Sequence, residues 1–398
     1  MNKKQKSFLL GLVLYLLSTS VSYGAFNYFR SAPSPVLPTD ESGGLLIDPG
    51  APRDQECPIN GQMFTKVERD SWEQRRPLII MVENSAEARP HSGIVKADAV
   101  YEAVAEGGVT RFMPVYYCAA QANDVKVAPV RSVRTYFIDW ASEYGETPLF
   151  GHVGGANCSA EKIGTGYGPC KTDKRAQAIE QLVAYEWRWG KGNDLDQFSV
   201  GAPTYIRDET RLGHRVATEH SVVGSTELLW SEGLERGWSN QDLEGEEWSD
   251  NFTPWEFADE AAEADRGNIS NIEYAFWDGY SDYSPSWSYD RASNTYLRST
   301  GGEAHKDLET GDQLFAKNVV VMFTNEIGPV DELKHMLYTT IGSGEALIFQ
   351  NGEVIEATWS KSTRTGRTTF EDSSGDEIPF VRGLIWISVV ATNTEVSY

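Results

Sequence analysis

Ala99-Val100-Tyr101-Glu102-Ala103-Val104-Ala105-Glu106 alternates, Gly107-Gly108 breaks the run, and Val109 to Tyr117 resumes it. Side chains of a strand point to opposite faces in turn, so Val100, Glu102, Val104 and Glu106 share one face. Two such runs joined by Gly-Gly predict a β-hairpin with a tight turn. Upstream, Pro77-Leu78-Ile79-Ile80-Met81-Val82 is a short apolar run and predicts a buried strand.

Downstream of the hairpin the period changes. Pro129-Val130 leads into Arg131-Ser132-Val133-Arg134-Thr135-Tyr136-Phe137-Ile138-Asp139-Trp140, whose apolar spacing is helical, with Ser132 as the expected N-cap. Leu149-Phe150-Gly151-His152-Val153-Gly154-Gly155 predicts a strand running into a glycine-rich loop. Helices are expected over 176–189 and 225–234. From Ser231 to Asp265 acids cluster and Arg236 is the one basic residue, which predicts a solvated connector. Beyond Asn271, residues Val319–Phe323, Ala346–Phe349, Val354–Trp359 and Leu384–Val390 read as strands separated by turn signals such as Asn351-Gly352. The expected fold is therefore α+β. A mixed domain of hairpin and helices spans 76–230, an acidic connector 231–270, and a mostly antiparallel β domain 271–398.

The N-terminus carries a different signal. Lys3, Lys4 and Lys6 precede an apolar run from Phe8 to about Phe29. Basic then apolar is the layout of an export segment, with the lysines held in the cytoplasm. Residues 1–30 are read as a signal peptide or a signal anchor. Ser22 and Gly24 stand at cleavage spacing before Ala25, while the length of the run also suits a membrane helix. Residues 31–75 are read as a Pro/Ser/Gly-rich flexible spacer. The protein is expected outside the cytoplasm, anchored to the membrane by this apolar helix or secreted after cleavage.

Net charge is −23 over 398 residues. So acidic a chain repels phosphate backbones, and nucleic acid is not an expected partner. Cys57, Cys118, Cys158 and Cys170 contain no Cys-x-x-Cys pair, which argues against a zinc ribbon or a dithiol redox site. An even number outside the cytoplasm suggests disulfides. Cys158 with Cys170 closes a short glycine-rich loop and is the first expected pair, leaving Cys57 with Cys118.

Several of these stretches together resemble the YerB-like family of exported bacterial proteins, whose domain has no known function. They are Arg89-Pro90-His91-Ser92-Gly93, Ala97-Asp98-Ala99-Val100-Tyr101-Glu102 and Glu106-Gly107-Gly108-Val109-Thr110-Arg111-Phe112. Pro129-Val130-Arg131-Ser132-Val133-Arg134 and His152-Val153-Gly154-Gly155 continue the likeness. Ala316-Lys317-Asn318-Val319-Val320-Val321, Gly342-Ser343-Gly344-Glu345-Ala346 and Gly352-Glu353-Val354-Ile355-Glu356-Ala357-Thr358-Trp359 extend it into the second half. The resemblance spans roughly Arg76 to Val390. It implies an exported protein, often a lipoprotein, of two-part α+β architecture, and it implies no activity. This chain departs from the family in lacking the lipid-attachment cysteine, and at Glu219-His220-Ser221, where His-Asn is usual.

The residues expected to bind a ligand are Arg131, Arg134, His152, Glu102, Glu106 and Arg111. Two arginines three apart at a helix start would lie near one face beside free N–H groups, and arginine forks suit carboxylate or phosphate. The opposing expectation is that internal acids such as Asp139 or Glu102 neutralise them. His152 at a strand end, next to glycines, has the position of a displayed general base. Glu102 and Glu106 are the minimal carboxylate pair of a glycosidase, with Arg111 as a simple salt-bridge alternative. Ser159-Ala160-Glu161-Lys162 matches Ser-x-x-Lys without its partner motifs. The histidines show no metal spacing, Asn193-Asp194-Leu195-Asp196 lacks the rest of a calcium loop, and no metal or cofactor is expected. Trp277, Tyr280, Tyr283, Trp287 and Tyr289 could form a sugar-stacking surface or simply pack a sheet. The expected function is binding of a cell-envelope glycan, anionic polymer or envelope protein. The alternative is a cell-wall hydrolase using His152 with a carboxylate.

Overall fold

In the computed structural model the hairpin forms between Ala99–Glu106 and Val109–Tyr116. Gly107 and Gly108 both take positive φ, which the tight turn requires and which a side chain disfavours. The structure describes Gln5 and residues 37–41, 43–158, 160–163, 166–189, 192–241 and 245–398. The apolar run 8–29 lies outside the described residues, and with it the expected N-terminal helix. Met1–Pro38 and Thr39–Tyr398 are separate units, and the sheets and both disulfides belong to the second.

The hairpin sits inside an 11-stranded sheet. On one side come Leu78–Ile80, Leu149–His152 and Asp194–Asp196. On the other side Ile385–Ala391 lies parallel to Ala99–Glu106, followed by Asn318–Thr324, Gly342–Gln350, Glu353–Lys361 and Thr369–Glu371. The expected boundary between 230 and 271 therefore crosses a sheet that is continuous. Pairing of Ala99–Glu102 with Ile385–Ser388 welds the two halves of the sequence. A second, six-stranded antiparallel sheet contains Asn271–Tyr274, Pro285–Asp290, Thr295–Thr300 and Val396–Ser397. It packs on the large sheet where the Trp287 and Trp386 rings meet edge to face at 5.3 Å.

Three expectations need correction. Residues 53–75 are folded and are no spacer. Arg53–Glu56 pairs with Met63–Thr65, and Thr65 and Glu68 close a capping box on the helix Lys66–Trp72. Trp72 is buried against Phe64 and Tyr117, and Cys57 is bonded to Cys118. Nor do residues 231–270 form a loose connector. Their aromatic residues are drawn into the core despite the acids around them: Trp248 packs on Tyr117 at 5.0 Å and Trp255 on Phe380 at 5.1 Å. Phe257–Ala258 pairs with Phe380–Val381.

The third correction is the start of the helix after Pro129. It runs Thr135–Ala141, with Arg134 at the cap position and no side-chain cap bond. Residues 131–133 are extended, because the Arg131 N–H donates to the Met81 carbonyl and the Val133 N–H to that of Gly154. Backbone bonding to neighbouring segments outweighs the capping preference of Ser132. The helix near 225 fits better: Thr226–Glu235 is capped by the Ser225 hydroxyl. The helix expected to reach Trp189 covers Ala178–Ala184.

Candidate functional site

Each expected site residue has a partner inside the fold. The register shift between Val104 and Glu106 separates the two hairpin carboxylates. Glu106 accepts from Arg111 at 3.0 Å and from Arg134 at 2.8 Å. Burial alone would raise the Glu106 carboxyl, but the two guanidinium groups outweigh it and hold it down at about 2. Arg131 donates to Glu83 at 3.3 Å, and the other Glu83 oxygen meets His220 Nδ1 at 2.7 Å. The anion receptor expected at Arg131 and Arg134 is thus neutralised from within, by Glu83 and Glu106 rather than by Asp139 or Glu102.

His152 is fully buried. Its Nε2 lies 2.8 Å from Asp194 and its Nδ1 2.8 Å from the Gly154 carbonyl. Both partners are acceptors, so the ring carries both protons. Burial pulls its pKa down, and the Asp194 and Asp196 carboxylates reverse this and raise it. Arg188 closes the group by donating to Asp196 at 2.6 Å. A ring with no exposed atom and both nitrogens engaged offers a substrate no general base, which removes the basis for a hydrolase built on His152. The carboxylates of Asn193-Asp194-Leu195-Asp196 are accounted for by the same cluster.

Glu102 belongs to a buried chain that sequence reasoning missed. Arg298 Nη2 bridges both Glu102 oxygens at 3.0 and 2.9 Å, Thr110 donates to one oxygen at 2.8 Å, and Trp386 Nε1 to the other at 3.2 Å. Arg298 Nη1 also meets His305 Nδ1 at 2.6 Å. Arginine only donates, so His305 Nδ1 accepts and its Nε2 carries the proton. That proton points to His91 Nδ1 at 2.7 Å, and His91 Nε2–H points to the Glu83 carbonyl at 2.6 Å. The directions are inferred from this one donor. Phe112, Trp287 and Trp386 surround the Arg298 guanidinium at 5.5, 5.7 and 4.9 Å. Trp287 is therefore core. No local signal marks this chain, since His91 lies in Arg89-Pro90-His91-Ser92-Gly93 and His305 in Glu303-Ala304-His305-Lys306-Asp307, both polar stretches.

Open surface lies next to it. A groove of about 1280 Å³ runs between Asn271–Tyr274, the 276–286 segment and the residues after Ala391. Trp277 and the carboxylates Glu273, Asp278, Glu326 and Glu395 line it, and its lining holds no lysine, arginine or histidine. Trp277 is half-buried, its Nε1 held by Glu326 at 2.7 Å, and its ring meets Tyr280 edge to face at 5.6 Å. Glu326 also accepts from the Tyr338 hydroxyl. The 39 % exposed Tyr280 rests on the hairpin turn, where a Cβ on Gly108 would come within 2.5 Å of its ring. Among the described residues, metal-ligating side chains cluster at Cys57, Asp98 and Cys118, but the two sulfurs are bonded to each other.

Two family models match the chain in order. The N-terminal domain described as "Protein of unknown function (DUF3048)" covers residues 64–198, and the C-terminal domain of the same description covers 272–387. A protein of Bacillus subtilis (strain 168), named as a candidate lipoprotein, YerB, is 26% identical over 319 residues, which is 80% of this chain and 82% of that protein. The crystal structure of YerB from Bacillus subtilis superposes with a TM-score of 0.65 at 23% identity, covering 86% of this chain and 100% of that one. That likeness concerns the fold.

Proposed function

Because the chain belongs to the DUF3048 family of unknown function, we propose a role from its own geometry: an extracytoplasmic binding protein whose groove takes a cell-wall glycan. The observation that carries this reading is the pairing of the Trp277 ring with carboxylates in one open groove without a cation. Sugar rings present C–H faces that stack on indole, and their hydroxyls donate to carboxylates. An anionic polymer would meet like charge there. The location rests on the basic-then-apolar N-terminus, on two disulfides, which suit an oxidising compartment, and on the name of the relative.

The test is sedimentation of the protein with isolated cell-wall sacculi, with soluble products followed by mass spectrometry. Binding that is lost in Trp277→Ala and kept in Arg131→Ala supports the groove. Equal binding by wild type and Trp277→Ala overturns it. Release of wall fragments would replace binding with hydrolysis, and binding to an anionic wall polymer in preference to glycan would contradict the charge argument.

A further inference from the structure

Beside the groove, beyond Gly301, lies a separate pocket of about 450 Å³, between the loop holding Arg89 and Pro90 and the turn 300–306. Its inner wall joins the two halves of the chain. Arg89 donates through Nε to the Asn84 side-chain oxygen and through Nη2 to the Asn84 carbonyl, both at 3.1 Å. Its guanidinium lies over the Tyr283 ring at 5.4 Å. No carboxylate among the described residues forms an ion pair with it, and Nη1 has no protein acceptor there. Arg298 behind it cannot serve, being a cation already bound to Glu102. Burial, with repulsion from Arg298, pushes the Arg89 pKa down to about 10 against weaker attraction from Glu102 and Asp282, so the group stays charged at neutral pH with no carboxylate in contact with it.

Thr300 adds a second unmatched group. It is 4% exposed, lines this pocket, and its Oγ1 has no hydrogen-bond partner. A buried hydroxyl without a partner costs free energy, which a ligand atom recovers once the turn 300–306 moves enough to admit it to the sealed Oγ1. His305, also in the wall, is neutral with both ring nitrogens engaged, so it contributes shape and no charge. Exposed Asp282, Glu303 and Lys306 stand at the mouth. A cation and a hydroxyl inside, with two carboxylates and one lysine at the rim, leave the mouth net negative and match a molecule carrying a carboxylate at one end and an ammonium at the other. A doubly charged phosphate would meet a mouth that stays net negative, Lys306 offsetting one of its two carboxylates.

From this arrangement we infer that the pocket is a binding site for the carboxylate end of an amino acid or short peptide. The carboxylate sits on Arg89 Nη1 and Thr300 Oγ1, and the ammonium faces Asp282 and Glu303. The inference is independent of the glycan reading of the groove.

The experiment is calorimetric titration of the full chain with alanyl-alanine in its L,L and D,D forms, with acetate and inorganic phosphate as controls. Saturable dipeptide binding is expected, weakened at least about tenfold by Arg89→Gln and several-fold by Thr300→Val. Asp282→Asn with Glu303→Gln is expected to weaken the dipeptide and leave acetate unchanged. Preference between the L,L and D,D forms tells a general peptide from a wall peptide. Should Arg89→Gln fail to fold, Ala304→Phe fills the pocket from its exposed rim and is expected to abolish binding. No saturation by either dipeptide, unchanged affinity in Thr300→Val and Ala304→Phe, or tighter binding of phosphate than of dipeptide would each overturn the assignment.

Discussion

Glu102 and Arg298 stand 196 positions apart and meet as a fully buried ion pair, one nitrogen of the guanidinium bridging both carboxylate oxygens. Burying two charges is offset only when their remaining hydrogen-bonding capacity is met. Here Thr110 and Trp386 fill the carboxylate, His305 accepts a hydrogen bond from Arg298 Nη1, and three aromatic rings enclose the cation, leaving the guanidinium Nε without a partner. The pair ties the hairpin to the second sheet, so folding of the two halves is coupled through it.

Removing one member leaves the other charged and alone. Arg298→Met or Glu102→Leu is expected to lower unfolding free energy by about 3–5 kcal/mol in urea. The double variant Glu102→Leu/Arg298→Met is expected to lose clearly less than the sum of the two, because no buried charge remains. Additive losses in a double-mutant cycle would mean that the pair contributes through packing alone.

The histidines give stability a maximum near neutral pH. Burial, with Arg89 beside His91 and Arg298 beside His305, holds both rings neutral well below the usual 6.5. As pH falls below 6.5 the unfolded chain takes up protons that the fold refuses, and stability drops by up to about 1.4 kcal/mol per unit for each ring. His152 acts in the opposite sense. Its pKa is raised by Asp194 against the effect of burial, so its contribution is complete below 6.5 and disappears as pH rises through the folded value. Urea titrations across the range from acid to mildly alkaline are expected to trace a dome, and His152→Asn to flatten its alkaline side. A curve that climbs steadily with pH in the wild type would contradict the assignment of His152.

The two disulfides close loops of different size. Cys57 and Cys118 are 61 positions apart, Cys158 and Cys170 only 12. Loop-closure entropy then gives about 4 kcal/mol for the first and about 3 kcal/mol for the second. The Cys57–Cys118 bond also pins the segment carrying the helix Lys66–Trp72 to the end of the hairpin. Replacing both cysteines of the long loop by alanine is expected to destabilise more than replacing those of the short loop, and non-reducing peptide mapping should recover these two pairs. Peptides cross-linked in any other combination would refute the pairing.

What was legible in the sequence was local. Alternation and Gly107-Gly108 predict the hairpin because both signals lie within one supersecondary unit, and the four strands expected between Val319 and Val390 all form. Cys158 and Cys170 were readable from their spacing. Sheet order was not: nothing near Ile385–Ala391 says that it lies beside Ala99–Glu106, since that contact joins segments far apart in the chain. The site suffered for the same reason. Arg131, Arg134 and His152 have the residue types of a receptor, but Glu83, Glu106 and Asp194 reach them through tertiary pairing. Arg89 stands out in the sequence for its motif and not for its charge, because a missing counter-ion is a property of the fold.

The hairpin turn supplies the last prediction, which separates conformational cost from packing. Gly107 has φ +56° and the nearest atom to an added Cβ is the flexible Lys334 Cδ at 3.3 Å. Gly108 has φ +85°, and there a Cβ would fall 2.5 Å from the Tyr280 ring. Gly107→Ala should therefore cost about 1–2 kcal/mol, the ordinary penalty of a left-handed residue. Gly108→Ala adds a clash with a ring that meets Trp277 edge to face at 5.6 Å. It is expected to cost more and to shift tryptophan emission, which Gly107→Ala leaves in place. Equal losses of stability, with emission unchanged in both, would show that Tyr280 is not seated on the turn.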